Sequence, residues 1–308
     1  MKWGQVKTIF IFCFLILDIY LLHHVMTQQN SYEFLEEVTT EENLRNNLNG
    51  LSDLPEEPKE APMLHAKRKE FTEDEIEELD NLSGQKSLVI DNHMIVGKLD
   101  KPLTINVEGD LSEIEPYIWN YDQYVYYDKD EESNTLILFQ KLDDHIFFNQ
   151  SGVLLIHLNE KGEMTHYIQT LLLKTDEQPE KETLRKPLEL ISLLYDGGQI
   201  NPGDEITDQV LFGYHNLLPL PSGVQVLAPT WKIEINNEKV FLVNAIESHH
   251  TQRDPETFIG EMMEQIKAYL TKRQNVPIKP INDEWEQEEL QEFMRELLQD
   301  IDEGDGEE

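Results

Sequence analysis

Apolar residues are most densely clustered near the start of the chain, from Ile9 to Met26. Twelve of these eighteen residues are Leu, Ile, Phe or Val, and a helix needs about 20 such residues to cross a bilayer. Asp18 lies in the middle of the run. Twelve apolar residues contribute roughly −4 to −7 kcal/mol to insertion, whereas one central Asp costs about 2.5 to 3.5 kcal/mol. The pattern therefore predicts a single transmembrane helix over residues 9–26.

The sequence around this run predicts how the helix is processed and oriented. No Gly, Ala or Ser occurs from residue 6 to residue 29, so a small-residue cleavage site is missing and an uncleaved signal anchor is favoured over a signal peptide. Lys2 and Lys7 precede the run, and the first cation after it is Arg45. Because cations favour the cytoplasmic side, residues 1–8 are predicted to be cytoplasmic and the rest of the chain extracytoplasmic, in the cell membrane.

The segment after the span carries weaker patterns. Partial helical spacing over residues 27–49 predicts a helix that continues outward as a stalk. The sequence LPEEPKEAPM at 54–63 has three prolines and three acidic residues, which is typical of a linker. We therefore assign residues 27–70 to a helical stalk and a Pro-rich linker. A short helix is predicted to follow Thr72, with Glu75 completing a capping box.

Strand patterns dominate the region that follows, which we assign to a domain over residues 71–248. Runs of β-branched and aromatic residues, separated by Gly, Asn and Asp, predict antiparallel pairing, with a hairpin around NEKG at 159–162. Leu184–Tyr195 is predicted to be a helix. This order predicts an α+β fold of antiparallel sheets with covering helices, in one arrangement as two related lobes. The predicted strand runs are 87–99, the segment around Val107, 121–128, 134–142, 145–173, 209–218, 223–235 and 239–247.

The last part of the chain, residues 249–308, predicts amphipathic helices and an acidic tail. Pro255–Arg273 has an apolar stripe, PIKPI at 277–281 breaks it, and the final DEGDGEE is expected to be disordered. A second stripe is formed by Leu290, Phe293, Met294, Leu297, Leu298 and Ile301. Two interpretations stay open for this second helix: it docks on a groove or partner, or it is a loosely attached solubility helix. On either interpretation, truncation after Ile281 is expected to leave the domain folded.

Composition excludes several classes of function. The chain has 61 acidic and 25 basic side chains and a formal charge of −36, which argues against nucleic acid as a partner because binding requires a basic face. The lone Cys13 lies in the predicted span, so no disulfide and no extracytoplasmic cysteine nucleophile can form. The sequence lacks G-x-S-x-G, P-loop, dinucleotide-binding and H-E-x-x-H motifs. We predict a protein that is not an enzyme and needs no cofactor.

Two features resemble metal sites and are better explained otherwise. DKDEES at 128–133 begins like a calcium loop, but Ser133 and Phe139 stand where the glycine and the bidentate glutamate belong. We interpret it as a hairpin turn. The adjacent histidines 23–24 and 249–250 point about 100° apart on a helix and are poor ligands for one metal. We predict no metal site.

Two stretches of the chain resemble one family. MKWGQVKTIFIFCFLILDIYLL resembles the N-terminal anchor of the YycI (WalI) proteins of low-GC Gram-positive bacteria. GYHNLL at 213–218 and VLAPTWKIEINNEKVFLVNAIE at 226–247 resemble the end of their extracytoplasmic domain. The resemblance, over residues 1–248, implies a single-pass protein with an α+β outer domain related to the YycH fold. It also implies a partnership with a YycH-like membrane protein and action on the WalK (YycG) sensor histidine kinase, which governs cell-wall metabolism; no catalytic residues come with it.

This resemblance suggests a role for Asp18. Ionisable residues in a membrane usually face a partner or a polar cavity, and a single helix has no interior of its own. We therefore predict a transmembrane partner contact formed by Asp18 with Phe14, Leu22 and Ile11 on the same face; the alternative is a tolerated carboxyl. Two other functional classes stay open: an anchored module that senses a cell-wall fragment or small ligand, and a surface chaperone or protease inhibitor.

Overall fold

The computed structural model describes the central part of the chain almost continuously. It covers residues 37–79, 82, 84–107, 109–176, 178–207, 210–216, 223–252, 258, 260–261 and 277–281, together with positions 12, 14, 15, 17, 18, 20, 285, 286, 288, 289, 292, 293 and 295. The helices are α1 (Glu37–Asn47), α2 (Glu73–Leu79) and α3 (Pro187–Asp196), with 3₁₀ helices at Ser112–Tyr117 and Tyr121–Gln123. The strands are β1 (Glu60–Pro62), β2 (Leu64–Arg68), β3 (Gln85–Ile90), β4 (Met94–Thr104), β5 (Tyr124–Asp130), β6 (Thr135–Leu142), β7 (His145–Phe147), β8 (Val153–Leu158), β9 (Glu163–Thr170), β10 (Leu172–Lys174), β11 (Lys181–Thr183), β12 (Leu211–His215), β13 (Val224–Ile235), β14 (Lys239–Asn244), β15 (His250–Gln252) and β16 (Ile278–Pro280).

Fourteen of these strands form one hydrogen-bonded network, in the order β10-β2-β13-β12-β7-β6-β8-β9-β4-β3-β16. Strands β14 and β15 extend from β13, β5 pairs with β6, and β1 pairs separately with β11. The pairing is antiparallel except between β7 and β12, where Gly213 lies opposite Ile146 in a parallel register. The α+β class is confirmed. The parallel pair links a main sheet, formed by β3–β6, β8, β9 and β16, to a second sheet, formed by β2, β10 and β12–β15.

The main sheet is buried on both of its faces. The alternation in β8 predicts one buried face, and Leu154 and Ile156 do pack there with Leu79 of α2. The intervening Leu155 is buried as well, on the opposite face, against the cluster that contains Phe293. A sheet with two apolar faces needs a covering layer on each side. The helix α2 and the segment after β4 cover one face, and residues beyond β15 cover the other.

The predicted capping box begins α2. The backbone N–H of Thr72 donates to Glu75 Oε2 at 2.9 Å, and the N–H of Glu75 donates to Thr72 Oγ1 at 3.3 Å, which satisfies donors that a helix start leaves free. Lys69 Nζ also donates to Glu75 Oε1 at 2.5 Å. This Lys69 contact and the Thr72 bond hold the pKa of Glu75 below its usual range. The two apolar residues of this helix that face the sheet, Ile76 and Leu79, are buried.

The second sheet is covered by α3 and by residues that the sequence pattern assigns to a stalk. The helix α3 buries Leu190 and Ile191 in a cluster that also contains Leu44 of α1 and Leu48, the residue after α1. Pro187 is the first residue of α3, so the helix starts three residues later than predicted. Leu44 is only 2 % exposed. The end of α1 is therefore part of the folded core.

The predicted linker also contributes to the fold. Strand β1 pairs with β11, and Pro62 lies opposite Lys181. Proline is tolerated there because this two-stranded sheet leaves edge positions that need no donor. Strand β2 follows at once and buries Leu64 and Ala66. Residues 44–68 thus lie in the folded domain, whereas the sequence pattern places the domain boundary at residue 71.

Two short strand predictions are wrong. Val107 lies in a turn, where the N–H of Gly109 donates to the carbonyl of Asn106 at 2.9 Å. Residues 121–123, predicted as part of a strand, form a 3₁₀ helix. In both places the β-forming residues are too few to extend a ladder, and the neighbouring Asn and Asp residues favour turns.

The C-terminal residues complete the main sheet. The sequence PIKPI, predicted only to break a helix, includes β16, and Ile278 pairs with Ile90 of β3. Phe258 is buried on the same face as Phe293, so this part of the chain belongs to the core. Described residues of the two predicted helices, Phe258, Gly260, Glu261, Glu288, Glu289, Glu292, Phe293 and Arg295, are helical. Ile259, Met262, Met263, Ile266, Leu270, Leu290, Met294, Leu297, Leu298, Ile301 and the tail at 302–308 lie outside the described residues.

Candidate interaction sites

The predicted transmembrane contact is described in part. Asp18 and Phe14 are helical and exposed, whereas Leu22 and Ile11 lie outside the described residues. The exposed apolar residues nearby are Phe12, Leu15, Leu17 and Tyr20. Among the residues that the structure describes, no helix has both the length and the hydropathy needed to cross a bilayer. The span over 9–26 and its partner contact stay predictions.

The DKDEES segment is a hairpin turn, as predicted. It connects β5 to β6, and Asp130 Oδ2 accepts bonds from the Ser133 N–H at 2.8 Å and from Ser133 Oγ at 2.5 Å. The carboxylate of Asp130, the third residue of the segment, is thus occupied by the turn itself. Within the described residues, no group of three or more His, Cys, Asp or Glu side chains could hold a metal ion.

The GYHNLL motif joins the two sheets. At Gly213, an added Cβ would lie 2.5 Å from the carbonyl oxygen of Ile146 and 2.6 Å from the Phe148 ring, so only glycine allows β12 and β7 to approach this closely. His215 Nδ1 lies 2.7 Å from the Phe148 carbonyl oxygen. These contacts are structural, and they lie at the only parallel pairing among the described strands.

A cluster of buried amides lies beside this junction. Asn149 Nδ2 donates to Asn216 Oδ1 at 2.5 Å, and Asn216 Nδ2 donates to Gln225 Oε1 at 3.0 Å. Gln225 Nε2 donates to Ser151 Oγ at 3.1 Å, and Arg68 Nε donates to the same oxygen at 2.9 Å. A buried polar group without a partner costs free energy, so these mutual bonds fix how the two sheets meet.

The second family-like stretch, 226–247, is also structural. Trp231 is buried, and its Nε1 donates to the Arg185 carbonyl at 3.1 Å. Asn236 and Asn237 both have positive φ angles and form the turn between β13 and β14. Asn244 Oδ1 accepts the N–H groups of the two residues after Ala245. The contacts described for this stretch therefore maintain the fold.

One exposed apolar patch lies on the outer face of β10, β2 and β13. Leu173 and Val224 flank Lys67 in one cross-strand row, and Val226 lies opposite His65. The exposed fraction is 39 % for Leu173, 49 % for Val224 and 52 % for Val226. Exposed apolar patches of this kind often mark contact surfaces.

A second candidate surface is a row of basic side chains across the main sheet. Lys86 of β3 lies opposite Lys98 of β4, Lys98 lies opposite His166 of β9, and His166 lies opposite His157 of β8. Directly opposed residues project from the same face. We call Lys86, Lys98, His166 and His157 the basic row. The two imidazole rings are stacked with centroids 4.6 Å apart.

The C-terminal segment, defined here as the described residues between 285 and 295, covers the basic row. Lys86 Nζ lies 2.7 Å from both carboxylate oxygens of Glu289. Phe293 is 2 % exposed, with Lys98 Nζ 5.2 Å above its ring and the His166 ring 6.5 Å away edge to face. Trp285 stacks on Phe293, and its Nε1 donates to the Ser87 carbonyl at 3.3 Å. The described residues of this helix therefore contact the chain's own sheet, whereas the two interpretations for the stripe as a whole stay predictions because its other members lie outside the described residues.

The covered position makes His166 hard to protonate. Burial, the adjacent His157 ring and the charge of Lys98 lower the pKa of His166 to about 3. The imidazole is therefore neutral across the physiological range. Thr165 Oγ1 lies 3.1 Å from its Nδ1, which holds the ring in place.

Sequence reasoning missed the basic row because its members come from four strands. The only signal near the covering segment is the four-residue spacing of Trp285, Glu289 and Phe293.

A family model described as YycI protein matches residues 28–246, which is more than two thirds of the chain. The chain belongs to the YycI family. The resemblance to the YycI family is thereby confirmed; the matched range contains GYHNLL, and the anchor-like stretch precedes it. YycI is a regulatory family associated with the WalK (YycG) two-component system, and it is not known for enzymatic activity. The matched range contains the amide cluster and the basic row, whereas the C-terminal segment lies beyond it.

Other comparisons add little to this assignment. No curated protein matches the YycI-family chain. One similar solved structure is the crystal structure, at 1.45 Å resolution, of an uncharacterized protein from Eubacterium rectale ATCC 33656. It shares 11 % identity with a TM-score of 0.39, over 67 % of this chain and 89 % of that one. A likeness of this size carries no conclusion about fold or function.

Proposed function

We propose that this YycI-family protein is a non-enzymatic regulator of the WalK (YycG) sensor histidine kinase and acts together with a YycH-like membrane protein. The observation that carries the proposal is the family match over residues 28–246. The structure adds a domain whose family-like stretches maintain the fold and present surfaces instead of a catalytic group. A regulator of this kind acts through contacts, and its effect on the kinase is a change in the populations of kinase states.

We further propose that the protein is a single-pass membrane protein with its folded domain outside the cell. The support is the apolar run over residues 9–26 and the position of Lys2 and Lys7 before it. Protease added to intact protoplasts is expected to degrade the chain beyond residue 27. Full protection of the folded domain would contradict this topology.

The proposed transmembrane contact centres on Asp18, with Phe14, Leu22 and Ile11 on the same helical face. Replacing Asp18 with Leu removes an insertion cost of roughly 3 kcal/mol and also removes the polar contact with a neighbouring helix. Hydrogen bonds between membrane helices contribute about 0.6 kcal/mol on average and seldom more than 2 kcal/mol. We expect a loss of roughly three- to thirtyfold in association, since 1.4 kcal/mol corresponds to tenfold.

The test is co-immunoprecipitation of the full-length protein with the kinase and the YycH-like protein, together with a reporter of the kinase's target genes. Asp18→Leu is compared with Ile16→Ala, which changes the opposite face of the helix, at matched protein abundance. Reduced association and altered reporter output in Asp18→Leu alone support the proposal. Absence of both partners from the wild-type precipitate would refute it and would favour an anchored module that binds a wall fragment or small ligand.

A further inference from the structure

The C-terminal segment shows what kind of ligand the basic row binds. In an acidic chain, two lysines lie side by side next to two stacked histidines, and like charges placed opposite each other destabilise a sheet. A carboxylate over the row offsets that repulsion, and Glu289 supplies it at 2.7 Å from Lys86. The basic row therefore favours a negatively charged group lying over it.

The contacts also define the spacing of the ligand. Glu289 and Phe293 are helical residues four positions apart, so their side chains lie on one face of the helix. The carboxylate meets Lys86 while the phenyl ring is buried beside Lys98 and His166. Both lysines and His166 share a sheet face with the apolar residues Leu88, Val96 and Ile168. The surface fits an acidic amphipathic helix that carries a Glu-x-x-x-Phe pair.

The C-terminal segment is attached in a way that allows a competing helix to displace it. The ion pair is partly solvated, since the side chains of Lys86 and Glu289 are 25 % and 43 % exposed, and pairs of this kind contribute little stability. The segment follows β16, whose pairing with β3 keeps it close to the row. Such a tethered ligand competes at an effective concentration on the order of mM. Terminal segments are also among the first to open.

We propose that the basic row and the adjoining apolar face form a docking site for an acidic helix of a partner protein, and that the C-terminal segment is a displaceable cover of this site. The cover holds the site closed until a helix with the same Glu-x-x-x-Phe pair competes for it. The family match ends at residue 246, so the site belongs to the matched domain and the cover does not. This inference is independent of any effect on the kinase.

The test uses a fluorescent peptide with the sequence of residues 282–301 and the full-length protein in detergent. Phe293→Ala weakens the resident cover, so the peptide is expected to bind this variant at least tenfold more tightly than wild type. Glu289→Gln removes only the partly exposed ion pair and is expected to raise affinity about threefold, which keeps the test informative if Phe293→Ala fails to fold. Adding Lys86→Gln to Glu289→Gln is expected to abolish the threefold gain, because neither the peptide nor the C-terminal segment can then form the ion pair. Glu292→Gln, an exposed change on the same helix, is the matched control and should behave as wild type.

Three results would overturn the proposal. The first is equal peptide affinity for wild type, Phe293→Ala and Glu289→Gln, which would mean that the segment does not compete. The second is a gain in Glu289→Gln that survives the addition of Lys86→Gln, which would mean that the peptide does not pair with Lys86. The third is a wild-type dimer in sedimentation whose dissociation accompanies Phe293→Ala, which would mean that a second copy supplies the cover. A peptide in which the residue equivalent to Phe293 is Ala should not bind.

Discussion

The neutral His166 under the C-terminal segment makes the stability of the domain depend on pH in a predictable way. Its pKa is about 3 in the folded protein, compared with an ordinary value of 6.5. As the pH falls below 6.5, the unfolded chain binds a proton at this position and the folded chain does not. The stability that this group contributes is therefore complete above about pH 6.5 and is lost progressively as the pH falls towards 3.

The size of the effect follows from these two pKa values. Between pH 7 and pH 5, preferential protonation of the unfolded chain at His166 lowers the free energy of unfolding by about 2 kcal/mol. The groups that face the ring explain why the folded state resists the proton: His157 is stacked on it, Lys98 adds a positive charge, and Phe293 covers it. The carboxylate closest to the row, Glu289, is paired with Lys86.

The perturbation is His166→Gln, which removes the titrating group and keeps a polar side chain. Urea unfolding of wild type and variant at pH 7 and pH 5 gives four free energies of unfolding. Between pH 7 and pH 5, we expect the free energy of unfolding to fall by about 2 kcal/mol more in wild type than in His166→Gln. A difference in stability between the two proteins at pH 7 does not affect this comparison. The exposed His249 provides the control, and His249→Gln should lose as much as wild type. An identical loss in wild type and His166→Gln would refute the reasoning.

Three further predictions concern the free energy of unfolding, measured by urea denaturation. Leu44→Ala is expected to lower the free energy of unfolding by about 2 to 5 kcal/mol because it leaves a cavity in the core. Glu41→Ala on the exposed side of α1 should change it by no more than about 0.5 kcal/mol. Equal effects of the two changes would mean that this helix is a stalk outside the core. Gly213→Ala should cost more than about 2 kcal/mol because its Cβ would meet the Ile146 carbonyl, and a neutral effect would contradict the close approach. Truncation after Ile281 should lower stability by more than about 2 kcal/mol because Phe293 no longer covers the sheet, contrary to the sequence expectation of an intact domain.

The sequence was sufficient where a feature depends on residues a few positions apart. The capping box of Thr72 and Glu75, the turn at NEKG and the turn at Asn236 are each closed by local bonds, the last by the Glu238 N–H donating to the Ile235 carbonyl. The same holds for the turn in DKDEES, whose Asp130 carboxylate bonds within the segment. These features follow from side-chain chemistry alone, so a pattern of residue types is enough to predict them.

The sequence was less informative where burial comes from distant parts of the chain. The Leu and Ala residues between 44 and 66 have too weak a periodicity to predict a core element. Their burial is shown only by the cluster around α3 and by a separate cluster that β2 forms with neighbouring strands of the second sheet. Leu155 carries no sign of being covered by residues more than a hundred positions away. Alternation predicts one buried face of a strand, and it cannot indicate whether a second layer lies over the other face.

The sequence by itself determined the α+β class, the local caps and turns, and the family. The tertiary structure alone decided that Lys86, Lys98, His166 and His157 form one basic row and that Glu289 lies over it. The physical reason is that strand register is set by packing and turn geometry across the whole sheet. Four basic residues spread over about eighty positions therefore become neighbours only when the sheet has formed.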